Sequence, residues 1–255
     1  MALPNPSSEA FDFVAAVARA YACLLKAPSV HHETALGGRI FYAGELDGEG
    51  RALVVAANIA GAATLAATLD RAAQRQALRD GVADFIVNNL DEALRILKNQ
   101  LRKRETVSVC VVLPPSDVEF EMKERGVSPD LLRGDVITGR GDEAQNEMAS
   151  SDAPALVTWR AESALPKDLA DLDEIALACL DSADWQSRRW LRLAPRYLGR
   201  LAQGLRLLDT NRGFAARFAE QLRNRAARGE ITFAFEIQST SQGGNDQFRF
   251  NPNSH

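Results

Sequence analysis

The chain has 255 residues, of which 46% are hydrophobic and 25% are charged, and its formal net charge is −4. This length allows one large or two small domains with a sizeable core, and the composition is ordinary for a soluble globular protein. No apolar run approaches the roughly 20 residues of a membrane-spanning helix.

The three cysteines predict a reducing compartment. Cys23, Cys110 and Cys179 lie far apart, and an odd, sparse set of cysteines does not form a disulfide framework. Residues 1–8 carry no positive charge and no apolar stretch follows them, so we expect no signal peptide. The sequence therefore predicts a cytoplasmic protein.

Strands and helices alternate through the first half of the sequence. Apolar residues at three- and four-residue spacing predict a helix at residues 9–26, which Pro28 ends. The following segments alternate in type: a strand at 39–43, a turn at 45–50, a small-residue helix at 51–59, a strand at 62–69, a polar helix at 71–79 and a short strand at 85–87.

The next helix and strand have the clearest sequence signals. Asn89 is a suitable N-cap, and acids occupy the first turn of the helix and basic residues its last turn, as the helix dipole favours. Residues 106–113 are a continuous β-branched run, which is typical of a strand buried on both faces. A helix at 117–125 and a strand at 131–137 complete this half.

The second half repeats the pattern after a polar loop. Helices are predicted at 169–180 and 184–201, followed by a strand at 205–208, a helix at 213–227 and a strand at 231–237. The polar residues from 238 onwards predict a disordered tail.

Strands that alternate with helices predict an α/β fold. We expect a Rossmann-like, mostly parallel sheet with helices on both faces, an N-terminal helix and a helical insertion. The expected parts are an N-terminal helical segment at 1–35, a Rossmann-like core at 36–137, a loop or linker at 138–155, helices with a closing strand–helix–strand unit at 156–237, and a disordered tail at 238–255.

Positive charge is concentrated in residues 185–229. This segment contains eleven arginines and two acids, so it carries +9 while the remainder of the chain carries −13. Such asymmetry can mark nucleic-acid binding. Helical arginines also meet acids of their own fold, and we favour that interpretation because the aromatic residues of the segment lie at core-like helical spacing.

Several stretches, in a common order, resemble urocanase (urocanate hydratase), an NAD-dependent lyase. GRIFYAG stands where the family has a Gly-Arg strand, AGAATLAATLD at 60–70 is similar to AGAVCLAVEVD, and RGVSPDLL at 125–132 is similar to RGVRPDLVTDQ. NLDEAL, VSVCVVL, RWLRLAP and ARFAEQLRNRAARGEI also match family segments. The resemblance covers residues 11–237 and implies a nucleotide-binding, Rossmann-like core.

The resemblance also implies where NAD would bind. The family's loop, of the type GLGGMSGAQ, lets backbone N–H groups approach the pyrophosphate. Residues 45–53 replace it with a stretch that contains three carboxylates and keeps the glycines Gly48 and Gly50. These two glycines and Asp70, in the place of a ribose-binding acid, are degenerate cofactor-binding candidates. We expect weak NAD binding or none, with Arg51 offsetting one carboxylate.

Other family positions differ as well. Pro114 and Pro115 replace the Asn-containing part of LLGNAADV, and residues 132–137 replace TDQTSAHD without its His, Gln or Ser. The family continues past the position of His255 into a segment that helps build its active site. We therefore expect a shortened, degenerate relative, a pseudoenzyme without catalytic residues.

The histidines and cysteines suggest no further site. His31, His32 and Glu33 are ligand-type residues, but adjacent side chains chelate poorly and no third cluster lies nearby, so no metal site is expected. Cys110 lies in mid-strand and the other two cysteines lie on apolar helical faces, so we expect all three in the core.

Three functions remain open at this point. The favoured one is a non-catalytic, urocanase-like protein that binds a small ligand or a protein partner, with a homo-oligomer as one possible assembly. The alternative is an NAD-binding enzyme or a residual urocanate hydratase. The third is a binder of nucleic acid or of an acidic partner through residues 185–229. No membrane partner is expected.

Overall fold

The structure of this chain is a computed structural model that describes residues 8–138, 153–162, 166–241 and 244–252. Most of the expected linker, residues 139–152, lies outside the described residues. Within the described part of the chain, every helix is too short or too polar to cross a membrane.

The chain divides into two compact units. We call Phe13–Glu143 with Arg196–Leu201 the parallel-sheet unit. We call Met1–Asp12 with Ala144–Pro195 and Ala202–His255 the antiparallel-sheet unit.

Helices and strands alternate along the first part of the chain. In order, they are α1 (Ser8–Leu24), β1 (Ile40–Glu45), α2 (Gly48–Ala60), β2 (Ala63–Ala67), α3 (Arg71–Asp80), β3 (Phe85–Val87), α4 (Leu90–Lys103), β4 (Val107–Val111), α5 (Pro115–Glu124), β5 (Leu131–Leu132) and α6 (Arg133–Thr138).

The five strands form one parallel sheet in the order β3-β4-β2-β1-β5. Right-handed crossovers place α2 and α3 on one face and α4 and α5 on the other. In agreement, Val118 and Met122 of α5 and Leu97 of α4 share a buried cluster with Leu65 and Val109 of the sheet. The predicted α/β, Rossmann-like fold with an N-terminal helix is confirmed.

Local sequence explains why these elements form where they do. β2 and β4 are buried at every position, as their apolar and β-branched runs predict. The Asn89 side chain accepts a hydrogen bond from the Glu92 N–H at 2.9 Å, so it is the N-cap of α4. Gly61 ends α2 with φ of 94°, a conformation that favours glycine.

Two boundaries in this unit differ from the sequence prediction. The second half of the expected turn at 45–50 is helical, because Asp47 caps a helix that already begins at Gly48. The expected strand at 131–137 has two residues, and α6 follows it at once. The Asp135 carboxylate accepts a hydrogen bond from the Leu132 N–H at 2.8 Å and so favours the helical turn.

The antiparallel-sheet unit has a different topology from the one expected. Its elements are β6 (Pro154–Ala161), α7 (Pro166–Cys179), α8 (Trp185–Leu198) as far as Pro195, β7 (Arg206–Asn211), α9 (Arg212–Ala227), β8 (Phe235–Ser241) and β9 (Gly244–Phe250). The last residues of α8 and most of the 3-10 helix that follows it (Gly199–Ala202) belong to the parallel-sheet unit. The strands pair in the order β7-β6-β8-β9, and every pairing is antiparallel. The predicted closing strand–helix–strand unit is therefore part of an antiparallel sheet in which β7 and β8 both pair with β6, a strand that the sequence interpretation missed.

The expected disordered tail at 238–255 is wrong for its described residues. β8 and β9 form a hairpin in which Phe235 pairs with Phe250 and Ile237 pairs with Phe248. The rings of Phe235 and Phe250 lie 5.5 Å apart. Alternate apolar residues thus pack on one face of the hairpin, and this period-2 pattern outweighs the polar composition between them.

Glu236 is buried in this sheet within a set of donors. Arg160 Nη2 donates to its carboxylate at 2.6 Å, Arg249 Nη2 at 3.2 Å and Gln238 Nε2 at 3.0 Å. Burial alone would raise the pKa of Glu236, but the hydrogen bonds from these donors outweigh it and lower the pKa to about 2.

We expect the free energy of unfolding of the Glu236→Gln variant to fall less in acid than that of the unmodified chain. A lowered folded-state pKa contributes stability that is complete above the ordinary value of 4.5 and is lost as the pH falls towards 2. Urea unfolding at pH 7 should show a loss of about 2 kcal/mol in the variant, and the gap should narrow at pH 3. Exposed Glu220→Gln is the control, and a gap that stays constant with pH would contradict the assignment.

Candidate functional site

The segment that follows β1 lies at the carboxyl edge of the parallel sheet, where ligands of such folds bind. The pairing of β1 with β2 shifts register between Tyr42 and Gly44, and Gly44 has φ of 68°. Leu46 is buried and its N–H donates to Ala67 O at 3.0 Å. The chain is thus held against β2 as it enters α2.

Gly50 brings the first turn of α2 directly against the end of β1. A Cβ atom at this position would lie 1.9 Å from the carbonyl oxygen of Glu45, far inside van der Waals contact. A Cβ atom at Gly48 would meet nothing within 4 Å. Of the two glycines that the sequence singled out, Gly50 is required by packing and Gly48 is not.

Asp47 occupies the N-terminus of α2. Its Oδ1 accepts a hydrogen bond from the Gly50 N–H at 2.7 Å. In a phosphate-binding loop, such first-turn N–H groups face the ligand. Here one of these donors is already bound to a carboxylate of the chain itself.

Arg133, the first residue of α6, binds this acidic turn. Its Nη1 lies 3.2 Å from Asp47 Oδ1 and its Nη2 lies 3.1 Å from Asp47 Oδ2, so the pair is bidentate. Nη2 also donates to Glu49 Oε2 at 2.8 Å, and Nη1 donates to Glu45 O at 3.1 Å. We call Asp47, Glu49 and Arg133 the Arg133 cluster.

The two charges of the bidentate pair support each other. Burial raises the pKa of Asp47, but hydrogen bonds from the Gly50 N–H and from Arg133 outweigh it and hold the pKa below its ordinary value. Burial lowers the pKa of Arg133, while hydrogen bonds and charge from Asp47 and Glu49 raise it above its ordinary value. Both groups are therefore ionised at neutral pH.

Arg51 does not offset the acidic turn, contrary to expectation. Its Nη2 forms an ion pair with Asp80 at the end of α3. The compensating charge comes instead from Arg133, which is more than eighty residues away in the sequence. No spacing signal connects Arg133 with Asp47, and charge complementarity was the one available clue.

Asp70 follows β2 and caps α3. Its Oδ1 accepts a hydrogen bond from the Ala72 N–H at 2.7 Å, and the residue is exposed. It lies beyond the strand next to β1 and is not part of the Arg133 cluster.

Beyond β4, Pro114 and Pro115 begin α5 without a side-chain cap, and neither proline has an N–H to offer a ligand.

A cleft of about 760 Å³ lies between the ends of β1 and β5 and helix α5. Tyr42 is part of its lining, and its hydroxyl donates to Pro115 O at 3.2 Å. Burial, followed by the charge and hydrogen bond of Glu119, raises the pKa of Tyr42 well above its ordinary value. The tyrosine therefore keeps its proton beside a carboxylate.

The charged lining of this cleft is mixed and slightly acidic. The charged residues that line it are Glu45, Glu119, Lys123, Arg133 and Asp135. Arg133 is already bound to carboxylates of the Arg133 cluster. The three carboxylates of the lining outnumber its two cations, so its summed charge is negative, which favours a cationic or uncharged ligand over an anion.

Two arginines of the 185–229 segment cap helix α7. Arg188 Nη1 donates to Leu177 O at 3.1 Å, and Arg217 Nη2 donates to Cys179 O at 3.2 Å. The last carbonyls of a helix carry partial negative charge, so cations are stabilising there. These two arginines have a structural role.

Other arginines of the segment meet acids, as expected. Arg206 Nε donates to the buried carboxylate of Asp173 at 2.8 Å, and Arg228 pairs with Glu230 at 2.9 Å. These partners account for part of the positive charge within 185–229. The absence of a nucleic-acid partner stays a prediction.

The described residues contain no group of three or more His, Cys, Asp or Glu side chains placed to hold a metal ion. Cys110 and Cys179 are buried and free, and Cys23 is half-buried. Burial raises the pKa of Cys110 to about 12, which makes it a poor nucleophile.

Comparisons with known proteins agree with this geometry. Residues 16–137 match the family model described as the Urocanase Rossmann-like domain. The chain is also similar to S-methyl thiourocanate hydratase from Variovorax sp. (strain JCM 16519 / RA8), with 27% identity over 187 residues. The match covers 71% of this chain and 34% of that relative, so the chain spans about a third of the relative's length.

Proposed function

We propose that this protein, whose residues 16–137 form a Rossmann-like domain of the urocanase type, is a ligand-binding protein without urocanate hydratase activity. The observation that carries the proposal is the Arg133 cluster, which places two carboxylates and a bound guanidinium at the N-terminus of α2. A dinucleotide pyrophosphate would have to displace this cluster to reach the helix.

Electrostatics oppose such displacement. The pyrophosphate of NAD is anionic, and Asp47 and Glu49 carry negative charge at the same helix terminus. Each like-charge contact at 4 Å costs about 1 kcal/mol in water and about 4 kcal/mol near a protein surface. Arg133 stabilises an anion only after it leaves Asp47 and Glu49. The free energy lost with these two ion pairs offsets much of what the new contact with the anion contributes.

The backbone also has less to offer than a phosphate-binding loop. The Gly50 N–H is bound to Asp47, and Gly50 itself is packed against Glu45 O. This residue set does not fit the NAD pyrophosphate well. The close helix–strand packing is present, while the Gly50 N–H, which a phosphate-binding loop would offer to its ligand, is bound to a carboxylate of the chain.

The neighbouring cleft supports a different ligand. Its volume is within the range of small-molecule pockets, and Tyr42 and Glu119 present a polar pair beside apolar lining from Met122 and Val127. A small, uncharged or cationic molecule matches this lining.

We expect no hydration of urocanate by the purified chain. The loss of urocanate, followed by its ultraviolet absorbance in the presence of added NAD, should equal that of the buffer alone. Turnover of urocanate that depends on the protein and is lost in the Asp70→Ala variant would contradict the proposal and establish the lyase alternative.

The alternative function, an NAD-binding enzyme or residual lyase, has two observations in its favour. The relative's name describes it as a hydratase that acts on S-methyl thiourocanate. Gly50 also keeps a close approach of the kind that dinucleotide-binding loops need. The Arg133 cluster argues against this alternative, and NAD affinity discriminates between the two.

A further inference from the structure

A second cavity lies at the amino edge of the parallel sheet, where β1 begins. Its volume is about 480 Å³, and it is bounded by residues 31–39 and by the C-terminal end of α4. His31, His32, Arg39 and Arg104 line it, and Glu33 is the one acid among its described lining residues. Two of the chain's three histidines and two arginines therefore converge on one cavity.

The wall formed by residues 31–39 is held in place by its own hydrogen bonds. His31 N–H donates to Ala35 O at 3.1 Å and Ala35 N–H donates to His31 O at 2.7 Å, which closes a tight loop. Leu36 is fully buried and its N–H donates to Ala60 O at 2.9 Å. The backbone of this loop is therefore held against the core.

Arg104 is the cation with the greatest capacity to bind a ligand. It caps α4 with φ of 57°, it is exposed, and its side chain has no hydrogen bond or ion pair to any residue that the structure describes. Its Cγ would lie 3.5 Å from a Cβ atom at Gly38, so the stem packs against this glycine, and Arg104 is part of the cavity lining.

Arg39 contributes a second guanidinium with donors to spare. Its Nη1 donates to Asp130 Oδ1 at 2.9 Å, while Asp130 Oδ2 accepts the Ile40 N–H at 2.7 Å. Asp130 therefore fixes one arm of Arg39 and leaves the other nitrogens of the guanidinium as donors.

The end of α4 does not oppose an anion strongly. The N–H of Arg104 donates to Leu101 O at 3.1 Å, and the N–H of Glu105 donates to Gln100 O at 3.0 Å. These bonds satisfy terminal carbonyls that would otherwise face the cavity.

We propose that this cavity is a binding site for a small molecule that carries a carboxylate or phosphate group. Arg104 and Arg39 supply charged donors to the oxyanion, and His31 and His32 supply ring N–H donors at the rim. The site lies at the opposite edge of the sheet from the Arg133 cluster, so it is independent of the function proposed above.

The test is a titration of the ¹⁵N-labelled full chain with two probes, inorganic phosphate and succinate, followed by NMR. We expect saturable shifts confined to residues 31–39 and 101–104, and the tighter probe identifies the preferred group. Arg104→Gln should weaken binding at least about fivefold, and Glu33→Gln should tighten it about twofold.

Arg102→Gln is the matched control, because it removes an exposed arginine of the same helix that does not line the cavity. Its affinity should stay within about twofold of the unmodified chain. The proposal is overturned if neither probe gives saturable shifts, or if Arg102→Gln weakens binding as much as Arg104→Gln. The amide spectra of the variants show directly that each remains folded.

Discussion

Gly50→Ala should destabilise the chain by about 3 kcal/mol, at the upper end of the usual range for overpacking. The added Cβ atom would lie 1.9 Å from Glu45 O and 3.2 Å from Asp47 Oδ1. The first of these atoms belongs to the backbone of β1 and cannot rotate away. Relief therefore requires α2 to shift away from the strand, which breaks the packing that the helix and the sheet share.

The neighbouring Gly48→Ala is the control for this prediction. It lies in the same helical turn, and an added Cβ atom there meets nothing within 4 Å. Its stability should be unchanged or raised by about 0.5 kcal/mol, because alanine reduces the freedom of the unfolded chain. Urea unfolding of both variants measures the difference, and equal stabilities would contradict the close contact at Gly50.

The parts of the fold that sequence could predict are those with local signals. Asn89 and the charges of α4 define a helix through its own capping and dipole. The run in β4 defines a buried strand through its continuous β-branched residues. Because these causes lie within a few residues of their effects, a single sequence contains them in full.

The Arg133 cluster could not be predicted, because its cause is tertiary. Arg133 and Asp47 meet only because β5 lies beside β1 in the sheet. The sequence identified the acidic turn, but it assigned the compensating charge to Arg51. The nearest arginine in sequence instead pairs with Asp80 across the α2–α3 side of the fold.

The antiparallel hairpin shows a second kind of failure. The polar composition after residue 238 suggested disorder, while Phe248 and Phe250 repeat at the strand period opposite Ile237 and Phe235. Two aromatic residues in a polar segment are a weak local signal. They become decisive once β6 and β8 supply a sheet edge on which the last strand can pair.

The double substitution Asp47→Asn with Glu49→Gln should increase NAD affinity at least about tenfold, which is about 1.4 kcal/mol. Removing two like charges relieves about 1 kcal/mol for each contact even at the dielectric constant of water. Asparagine is also a good N-cap residue, so α2 should still begin at the same residue in the variant. Arg133 loses both ion-pair partners and becomes available to a phosphate.

A matched control changes the same net charge at another helix N-terminus. Asp91→Asn with Glu92→Gln alters the first turn of α4, far from the Arg133 cluster in the sequence. This variant should leave NAD affinity within about twofold of the unmodified chain. An equal gain in both variants would mean that overall charge, and not the Arg133 cluster, governs the affinity.

The most direct measurement of the central claim is a calorimetric titration of NAD into the unmodified protein. If the Arg133 cluster occupies the N-terminus of α2, the dissociation constant should be larger than about 100 μM, which corresponds to a binding free energy of less than about 5.5 kcal/mol. A dissociation constant below about 10 μM, or about 7 kcal/mol, would contradict the account and favour an NAD-dependent enzyme.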